Sequence, residues 1–190
     1  MKLMPFKGSK AAIAAMLLMF LVNEISLAAN KPGGDFSLMD QDKNEFQLQQ
    51  LRGKVVLLFF GYTSCPDVCP AMLGTLARVL RVFDSDDSQV QALFISVDPE
   101  RDTPERLKEY TRYFSSHLLG LTGSRDQIDQ VARLYQAKYE ITRDDKQHVS
   151  VDHSSQLYVI DQQGELNKIV PFGMGSDHII NVVKRLLKNK

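Results

Sequence analysis

The chain has 190 residues, 44% of them hydrophobic, which is enough for one globular domain whose core does not depend on disulfides. Lysine plus arginine equals aspartate plus glutamate at 23 each, so the chain has no net positive charge that would attract nucleic acid or acidic substrates. We therefore expect no nucleic-acid partner.

Residues 1–28 have the layout of a secretory signal peptide, because lysines precede an apolar run at 11–22 and small residues follow it. The run is shorter than the roughly 20 residues of a membrane-spanning helix. Apolar residues resume at 25–29, however, so an uncleaved membrane anchor is the alternative. In both cases we expect residues 35–190 to be exported to the periplasm, after a linker at 29–34, as a soluble domain or one tethered to the inner membrane.

The elements of the exported part follow from hydrophobic pattern and from turn and cap residues. Residues 36–39 and 45–48 predict a short β-hairpin, and the continuous apolar run at 55–60 predicts a central strand covered on both faces. Further strands are predicted at 90–97, 156–160 and 165–170, the last two as a hairpin. Helices are predicted at 70–83, from Pro104 to about 117, from a capping box of Ser124 and Gln127 to about 135, and from Ser176 onward.

The resulting order is a hairpin followed by β-α-β-α-α-β-β-α, with residues 119–122 as a short extended link. Alternating strands and helices predict parallel strands joined by right-handed crossovers. We predict an α/β protein with a thioredoxin-like fold and an N-terminal β-hairpin extension. The alternative is an open flavodoxin-like sheet, but its last strands would be joined by a helix rather than by a hairpin.

The two cysteines of the chain lie in the sequence Cys-Pro-Asp-Val-Cys-Pro, residues 65–70, directly after the central strand. On a regular helix, residues four apart would place their Cβ atoms about 5–6 Å apart, farther than the about 3.5–4.5 Å of a disulfide. Each cysteine precedes a proline, which disfavours helical backbone there, so we expect a stiff loop and a helix that begins at Pro70. Cys69 would then lie at or near the N-cap, and we expect it to be the more acidic thiol.

Three uses of this cysteine pair follow from its chemistry. Two thiolates are soft ligands suited to Cu(I) or zinc, but a closed zinc site needs four protein ligands and the chain has no further cysteine. A thiol-disulfide redox pair is the competing use, although the spacing has one residue more than C-x-x-C. A plain structural disulfide would close a very small loop and gain little stability. In an oxidising compartment, a bound metal or a dedicated reductant is needed to keep the thiols available.

His153 is the candidate third ligand. If the strand at 156–160 runs antiparallel to the central strand, residues 151–155 reach the carboxyl edge of the sheet, beside the cysteines. Two sulfurs and one imidazole are a ligand set suited to copper. Asp152 is a candidate acceptor that orients the imidazole, with an ordinary turn-stabilising aspartate as the alternative. The other histidines have weaker claims from their positions: His117, His148 and His178.

Four stretches of the chain together resemble the Sco/SenC family of copper-binding, thioredoxin-like proteins involved in cytochrome c oxidase assembly. They are Gly-Tyr-Thr-Ser-Cys-Pro-Asp-Val-Cys-Pro at 61–70, Ser-Val-Asp-Pro-Glu-Arg-Asp-Thr-Pro at 96–104, Gly-Leu-Thr-Gly at 120–123 and Val-Asp-His-Ser at 151–154. The resemblance implies copper, as Cu(I) or Cu(II), bound by Cys65, Cys69 and His153. It also implies the copper-site subunit of the oxidase as a partner.

The resemblance leaves the task of the bound copper open. A metallochaperone would deliver copper to the dinuclear site of the oxidase, whereas a thiol-disulfide oxidoreductase would reduce cysteines of that site or of another exported partner. Other copper chaperones and thiol reductants are further partners, and we expect a monomer. A peroxidase related to peroxiredoxins is a third reading, but Thr63 lies two residues before Cys65 instead of three, and the upstream proline of that motif is absent.

Overall fold

The computed structural model of the protein describes residues 31–83, 89–143 and 149–188. The predicted signal peptide or anchor at 1–28 lies outside the described residues, as does the start of the predicted linker. All elements named below lie in the unit formed by residues 33–190. Within the described ranges, no helix has the length and apolar character needed to cross a membrane.

Strands and helices alternate through the first two thirds of this unit. The strands of the described ranges are β1 (Ser37–Asp40), β2 (Glu45–Gln47), β3 (Val55–Gly61), β4 (Val90–Ser96), β5 (Leu118–Thr122), β6 (Tyr139–Arg143), β7 (Val149–His153), β8 (Leu157–Ile160) and β9 (Leu166–Val170). The α-helices are α1 (Val68–Val82), α2 (Pro104–Phe114), α3 (Arg125–Leu134) and α4 (Ser176–Lys188), and a 3-10 turn covers Leu48–Leu51.

Seven of the strands form one sheet in the order β2-β1-β5-β4-β3-β8-β9. The neighbours β3, β4 and β5 run parallel, whereas β8 is antiparallel to β3 and pairs with β9 as a hairpin. The predicted parallel strands and the predicted C-terminal hairpin are therefore both present. The segment predicted as a short extended link is a strand of the sheet, because β5 (118–122) pairs with β4. The N-terminal hairpin joins the same sheet through β1, which pairs with β5.

The central strand β3 is buried along its whole length, as its unbroken apolar sequence predicts. Its alternate side chains enter two separate cores, one on each face of the sheet. On one face, Val55, Leu57 and Phe59 pack with apolar residues of α1 and α4. On the other face, Phe60 and its counterparts pack with apolar residues of α3. The strand is therefore a rigid support for the loop that follows it.

Two features near the cysteines differ from the predictions. Helix α1 begins at Val68, two residues before Pro70, so Cys69 adopts helical backbone although a proline follows it. The restriction before proline is a bias, and here the N–H of Ala71 closes the first turn on the carbonyl of Asp67. The second feature is a two-stranded ribbon of β6 and β7, named here the β6–β7 ribbon, which was not predicted. Its strands are short and interspersed with charged residues, so their alternation is a weak signal.

Candidate metal centre

Cys65, Cys69 and His153 meet at the carboxyl edge of the parallel strands. Their ligand atoms, two Sγ atoms and one imidazole nitrogen, all lie within 4.8 Å of one another. Cys69 Sγ is 3.4 Å from His153 Nε2. Both cysteines are free thiols, Cys69 fully buried and Cys65 partly exposed. The structure thus brings together the three residues that the sequence nominated, although they are up to 88 positions apart in the chain.

The cysteine loop is held by backbone bonds at both ends. The N–H of Cys65 donates to the carbonyl of Tyr62 at 3.3 Å, which fixes the chain as it leaves β3. The N–H of Cys69, in the first turn of α1, donates to Cys65 Sγ at 3.5 Å. A free N–H of the helix terminus is therefore directed at the sulfur of Cys65.

The expectation that Cys69 is an acidic thiol is wrong for the metal-free protein. Cys69 has no exposed surface, and this burial raises the pKa of its thiol well above the ordinary value. Desolvation outweighs the backbone hydrogen bond from Tyr62, which lowers the pKa, because the side chain points into the core rather than toward solvent. Deprotonation of Cys69 therefore requires a compensating positive charge at the site, which a bound metal cation supplies.

His153 is oriented through its second ring nitrogen. Nδ1 lies 3.0 Å from the carbonyl oxygen of Ser154, so Nδ1–H donates to that oxygen and Nε2 carries the lone pair that faces Cys69. The rings of Phe59 and Tyr62 meet the imidazole edge-on at centroid distances of 5.9 and 5.8 Å. Burial lowers the pKa of His153 and favours the neutral imidazole, the form that binds metals.

The other residues nominated from the sequence lie elsewhere. Asp152 is exposed, and the Ser154 carbonyl takes the position at Nδ1 that was considered for its carboxylate, so Asp152 acts on His153 only through its charge. His117 precedes β5 at the opposite end of the parallel strands, and His178 lies in the first turn of α4. Neither belongs to the cluster of ligand atoms found among the described residues. His148 lies outside those residues.

A buried carboxylate behind the cysteine loop was not identified as a site residue from the sequence. Asp102, 1% exposed, accepts hydrogen bonds from Thr63 N at 2.9 Å, Thr63 Oγ1 at 2.5 Å and Ser96 Oγ at 2.7 Å. The neighbouring Thr103 caps α2, because its side chain accepts from the N–H of Arg106. With the cap assigned to Thr103, Asp102 is free to join the end of β4 to the cysteine loop.

Gly61, the last residue of β3, is required by the close packing of the site. A Cβ atom at this position would lie 2.6 Å from Cys69 Sγ and 2.7 Å from an edge carbon of Phe94. In proteins, Cβ atoms essentially never lie closer than 3.0 Å to a heavy atom of another residue. The absence of a side chain at Gly61 therefore provides the space in which the sulfur of Cys69 lies.

The donor set decides what the site can hold. Two thiolates and a neutral imidazole are soft and borderline ligands, which suit copper, and the chain provides no fourth protein ligand within the described cluster to close a tetrahedral zinc site. The partial exposure of Cys65 and His153 leaves the cluster reachable from solvent. Its residues therefore fit a single copper ion bound near the surface.

Comparison with known proteins gives concordant results. The family model described as SCO1/SenC matches residues 25–188. An SCO2-like protein of Rickettsia conorii is 39% identical over 140 residues, which is 73% of this chain and 68% of that protein. The structure of Bradyrhizobium japonicum ScoI with copper bound is similar with a TM-score of 0.76 and 37% identity, covering 82% of this chain and 99% of that chain.

A further structure bears on redox chemistry. BsSco, described as a member of the Sco family of cytochrome c oxidase assembly proteins in which a disulfide switch was identified, matches with a TM-score of 0.66 and 25% identity. The match covers 85% of this chain and 96% of BsSco. These similarities extend over nearly all of the described unit, and they confirm both the predicted family and the predicted thioredoxin-like fold.

Proposed function

The chain belongs to the SCO1/SenC family, and on that premise we propose that it is a periplasmic copper-binding metallochaperone that assists maturation of the dinuclear copper site of cytochrome c oxidase. The observation that carries the proposal is the convergence of Cys65, Cys69 and His153, whose ligand atoms lie within 4.8 Å of one another. Copper bound to ScoI, and the description of Sco proteins as oxidase assembly proteins, support it.

The three ligands have different tasks in this proposal. Cys69 and His153 form the fixed side of the site, because Cys69 is fully buried and the imidazole is held by the Ser154 carbonyl. Cys65 lies in the loop and is partly exposed, so it is the ligand that an incoming thiolate of the partner reaches first. Delivery of Cu(I) then proceeds by ligand exchange, in which a bond from copper to the partner sulfur forms as the bond to Cys65 breaks. No electron is transferred in that step.

Anaerobic copper titration of the reduced protein tests the proposal. Wild-type protein should bind one Cu(I) per chain, and Cys65→Ala, Cys69→Ala and His153→Ala should each weaken binding. In the Cu(II) form, the thiolate-to-copper absorption band should be weakened in both cysteine variants, which keep one thiolate each, and altered in His153→Ala. Failure of the reduced protein to bind stoichiometric Cu(I), or a His153→Ala variant with unchanged binding and spectrum, would contradict the assignment.

A thiol-disulfide oxidoreductase is the second candidate, and the free thiols of Cys65 and Cys69 at close range favour it. In that role, one thiolate attacks a disulfide of the partner, a mixed disulfide forms, and the other cysteine resolves it, which reduces the partner and leaves a disulfide between Cys65 and Cys69. The disulfide switch of BsSco supports this chemistry in a relative. Full activity toward the partner in the cysteine-to-alanine variants would eliminate it.

The partner and the location complete the proposal. The copper-site subunit of the oxidase is the proposed recipient, with other copper chaperones or thiol reductants upstream. Residues 1–28 are proposed to direct export as a cleaved signal peptide or to tether residues 35–190 to the inner membrane. Mass spectrometry of the protein isolated from membrane and soluble fractions distinguishes the two outcomes by the presence or absence of the N-terminal peptide.

A further inference from the structure

The third ligand lies on a two-stranded ribbon that, in the described ranges, is not paired with the main sheet. His153 is the last residue of β7, and in the described ranges β7 pairs only with β6. Tyr139 is the residue directly opposite His153 across this ribbon. Since strand pairing does not join the β6–β7 ribbon to the seven-stranded sheet among the described residues, side-chain contacts contribute to its position relative to the cysteines.

Tyr139 makes polar contacts that join the ribbon to α3. Its hydroxyl donates a short hydrogen bond to Asp129 Oδ1 on α3 and accepts one from Arg125 Nη1 at 3.3 Å. The guanidinium of Arg125 also lies over the Tyr139 ring, 5.7 Å from its centroid. Tyr139 is therefore attached to α3 at both its ring and its hydroxyl, at the level of the ribbon where His153 lies.

Arg125 continues the connection to the other half of the site. The same Nη1 donates to the carbonyl of Val97 at 2.9 Å, and Nη2 forms an ion pair with Glu100 at 3.5 Å. Val97 and Glu100 belong to the segment between β4 and α2, whose Asp102 holds Thr63 just before Cys65. The segment between β4 and α2 therefore contacts both halves of the site. Its Asp102 holds the cysteine loop, and its Val97 and Glu100 hold Arg125, which contacts the β6–β7 ribbon.

We propose that Tyr139 and Arg125 are positioning residues for His153, which hold the β6–β7 ribbon so that its imidazole faces the cysteines. The inference rests on the proposed copper site. The hydroxyl of Tyr139 bonds the ribbon to α3. Arg125 in turn contacts the segment that also fixes the cysteine loop. Partners of this kind that orient a metal ligand typically change metal affinity about 10–100-fold when they are removed.

The test compares wild type, Tyr139→Phe and Arg125→Lys as purified full-length proteins. Tyr139→Phe removes only the hydroxyl, and Arg125→Lys keeps the charge but cannot bridge Tyr139, Val97 and Glu100. Tyr113→Phe, at a ring that is 86% exposed on α2, is the matched control for the loss of a phenol. Each protein is titrated with Cu(II), and electron spin echo modulation from the remote imidazole nitrogen reports coordination by His153.

We expect Tyr139→Phe and Arg125→Lys to bind Cu(II) about 10–100-fold more weakly, with reduced imidazole modulation, and Tyr113→Phe to match wild type. In the metal-free reduced proteins, the His153 ring resonances should broaden or shift in the two variants, while the reduction potential of the cysteine pair stays unchanged. A purely structural role would lower unfolding stability without moving these signals selectively. If Tyr139→Phe does not fold, Arg125→Lys decides the question.

Two negative outcomes are distinguishable. In the first outcome, wild type shows imidazole modulation that His153→Ala abolishes, but both positioning variants have the wild-type Cu(II) affinity and the wild-type His153 ring resonances. The inference is then overturned and the copper site stands. If wild type itself shows no modulation from His153, the proposed copper site fails, and the inference fails with it.

Discussion

Replacement of Gly61 by alanine is the sharpest packing test of the site. The added Cβ would lie 2.6 Å from Cys69 Sγ, 2.7 Å from Phe94 and 3.2 Å from Phe59. Apolar heavy atoms pack best at about 3.5–4.0 Å, so the sulfur or the Phe94 ring must move by about 1 Å. Both neighbours are fully buried, which leaves them little room to do so.

The expected cost follows from these distances. Overpacking of a tight core typically costs about 1–3 kcal/mol, and we expect a loss of that size in the free energy of unfolding. Because Cys69 Sγ lies only 3.4 Å from His153 Nε2, displacement of the sulfur also disturbs the ligand arrangement. If the strain is about 1.4 kcal/mol greater in the copper-bound state than in the metal-free state, copper affinity falls about tenfold.

Gly74→Ala is the matched control, since Gly74 lies within α1 and a Cβ there meets nothing within 4 Å. The same substitution at this helical position should raise stability by about 0.5–1 kcal/mol and leave copper binding unchanged. Urea denaturation and Cu(I) competition titration measure both variants. Wild-type stability and affinity in Gly61→Ala would refute the claim that Gly61 provides the space for the Cys69 sulfur.

Three further predictions follow from the structure. Asp102→Ala leaves the buried donors of Thr63 and Ser96 without an acceptor, so the free energy of unfolding measured in urea should fall by about 3–5 kcal/mol, and a loss below about 1 kcal/mol would contradict the role of Asp102. Burial lowers the pKa of His153 from its ordinary 6.5, so as pH falls below that value the unfolded chain takes up the proton first and the native state loses stability. As pH is lowered from about 7.5 to about 5, the reduced metal-free wild-type protein should therefore lose stability relative to His153→Ala. A stability difference between the two proteins that does not depend on pH would contradict the burial of a neutral imidazole. Ser124→Ala removes the capping box of α3 and should cost about 1 kcal/mol in thermal or urea unfolding, with copper binding at the wild-type level, and an unchanged midpoint would show that the cap is not needed.

The predictable part of the fold is the part with strong local signals. The unbroken apolar run of β3, the proline at the first position of α2 and the capping box of Ser124 each specify an element, and each appears in the structure. The thioredoxin-like order of elements brings His153 to the cysteines if β8 runs antiparallel to β3, and in the structure it does. Topology therefore predicted the juxtaposition better than any local motif could.

The features that were missed depend on tertiary context. The start of α1 at Val68 and the burial of Cys69 are set by packing on β3, which overrides both the bias before proline and the effect of the helix terminus on the thiol. The β6–β7 ribbon is stabilised by Tyr139 and its partners on α3, a contact that no sequence spacing reveals. The role of Asp102 depends on Thr63 and Ser96, which are distant or unremarkable in sequence and meet the carboxylate only in the folded protein.

X-ray absorption at the copper edge tests most directly whether Cys65, Cys69 and His153 bind one copper ion together. Wild-type protein loaded anaerobically with one Cu(I) per chain should show two sulfur scatterers and one imidazole nitrogen around copper. Cys65→Ala should lose one sulfur, and His153→Ala should lose the imidazole contribution. A wild-type spectrum without two sulfurs, or one that His153→Ala leaves unchanged, would contradict the assignment.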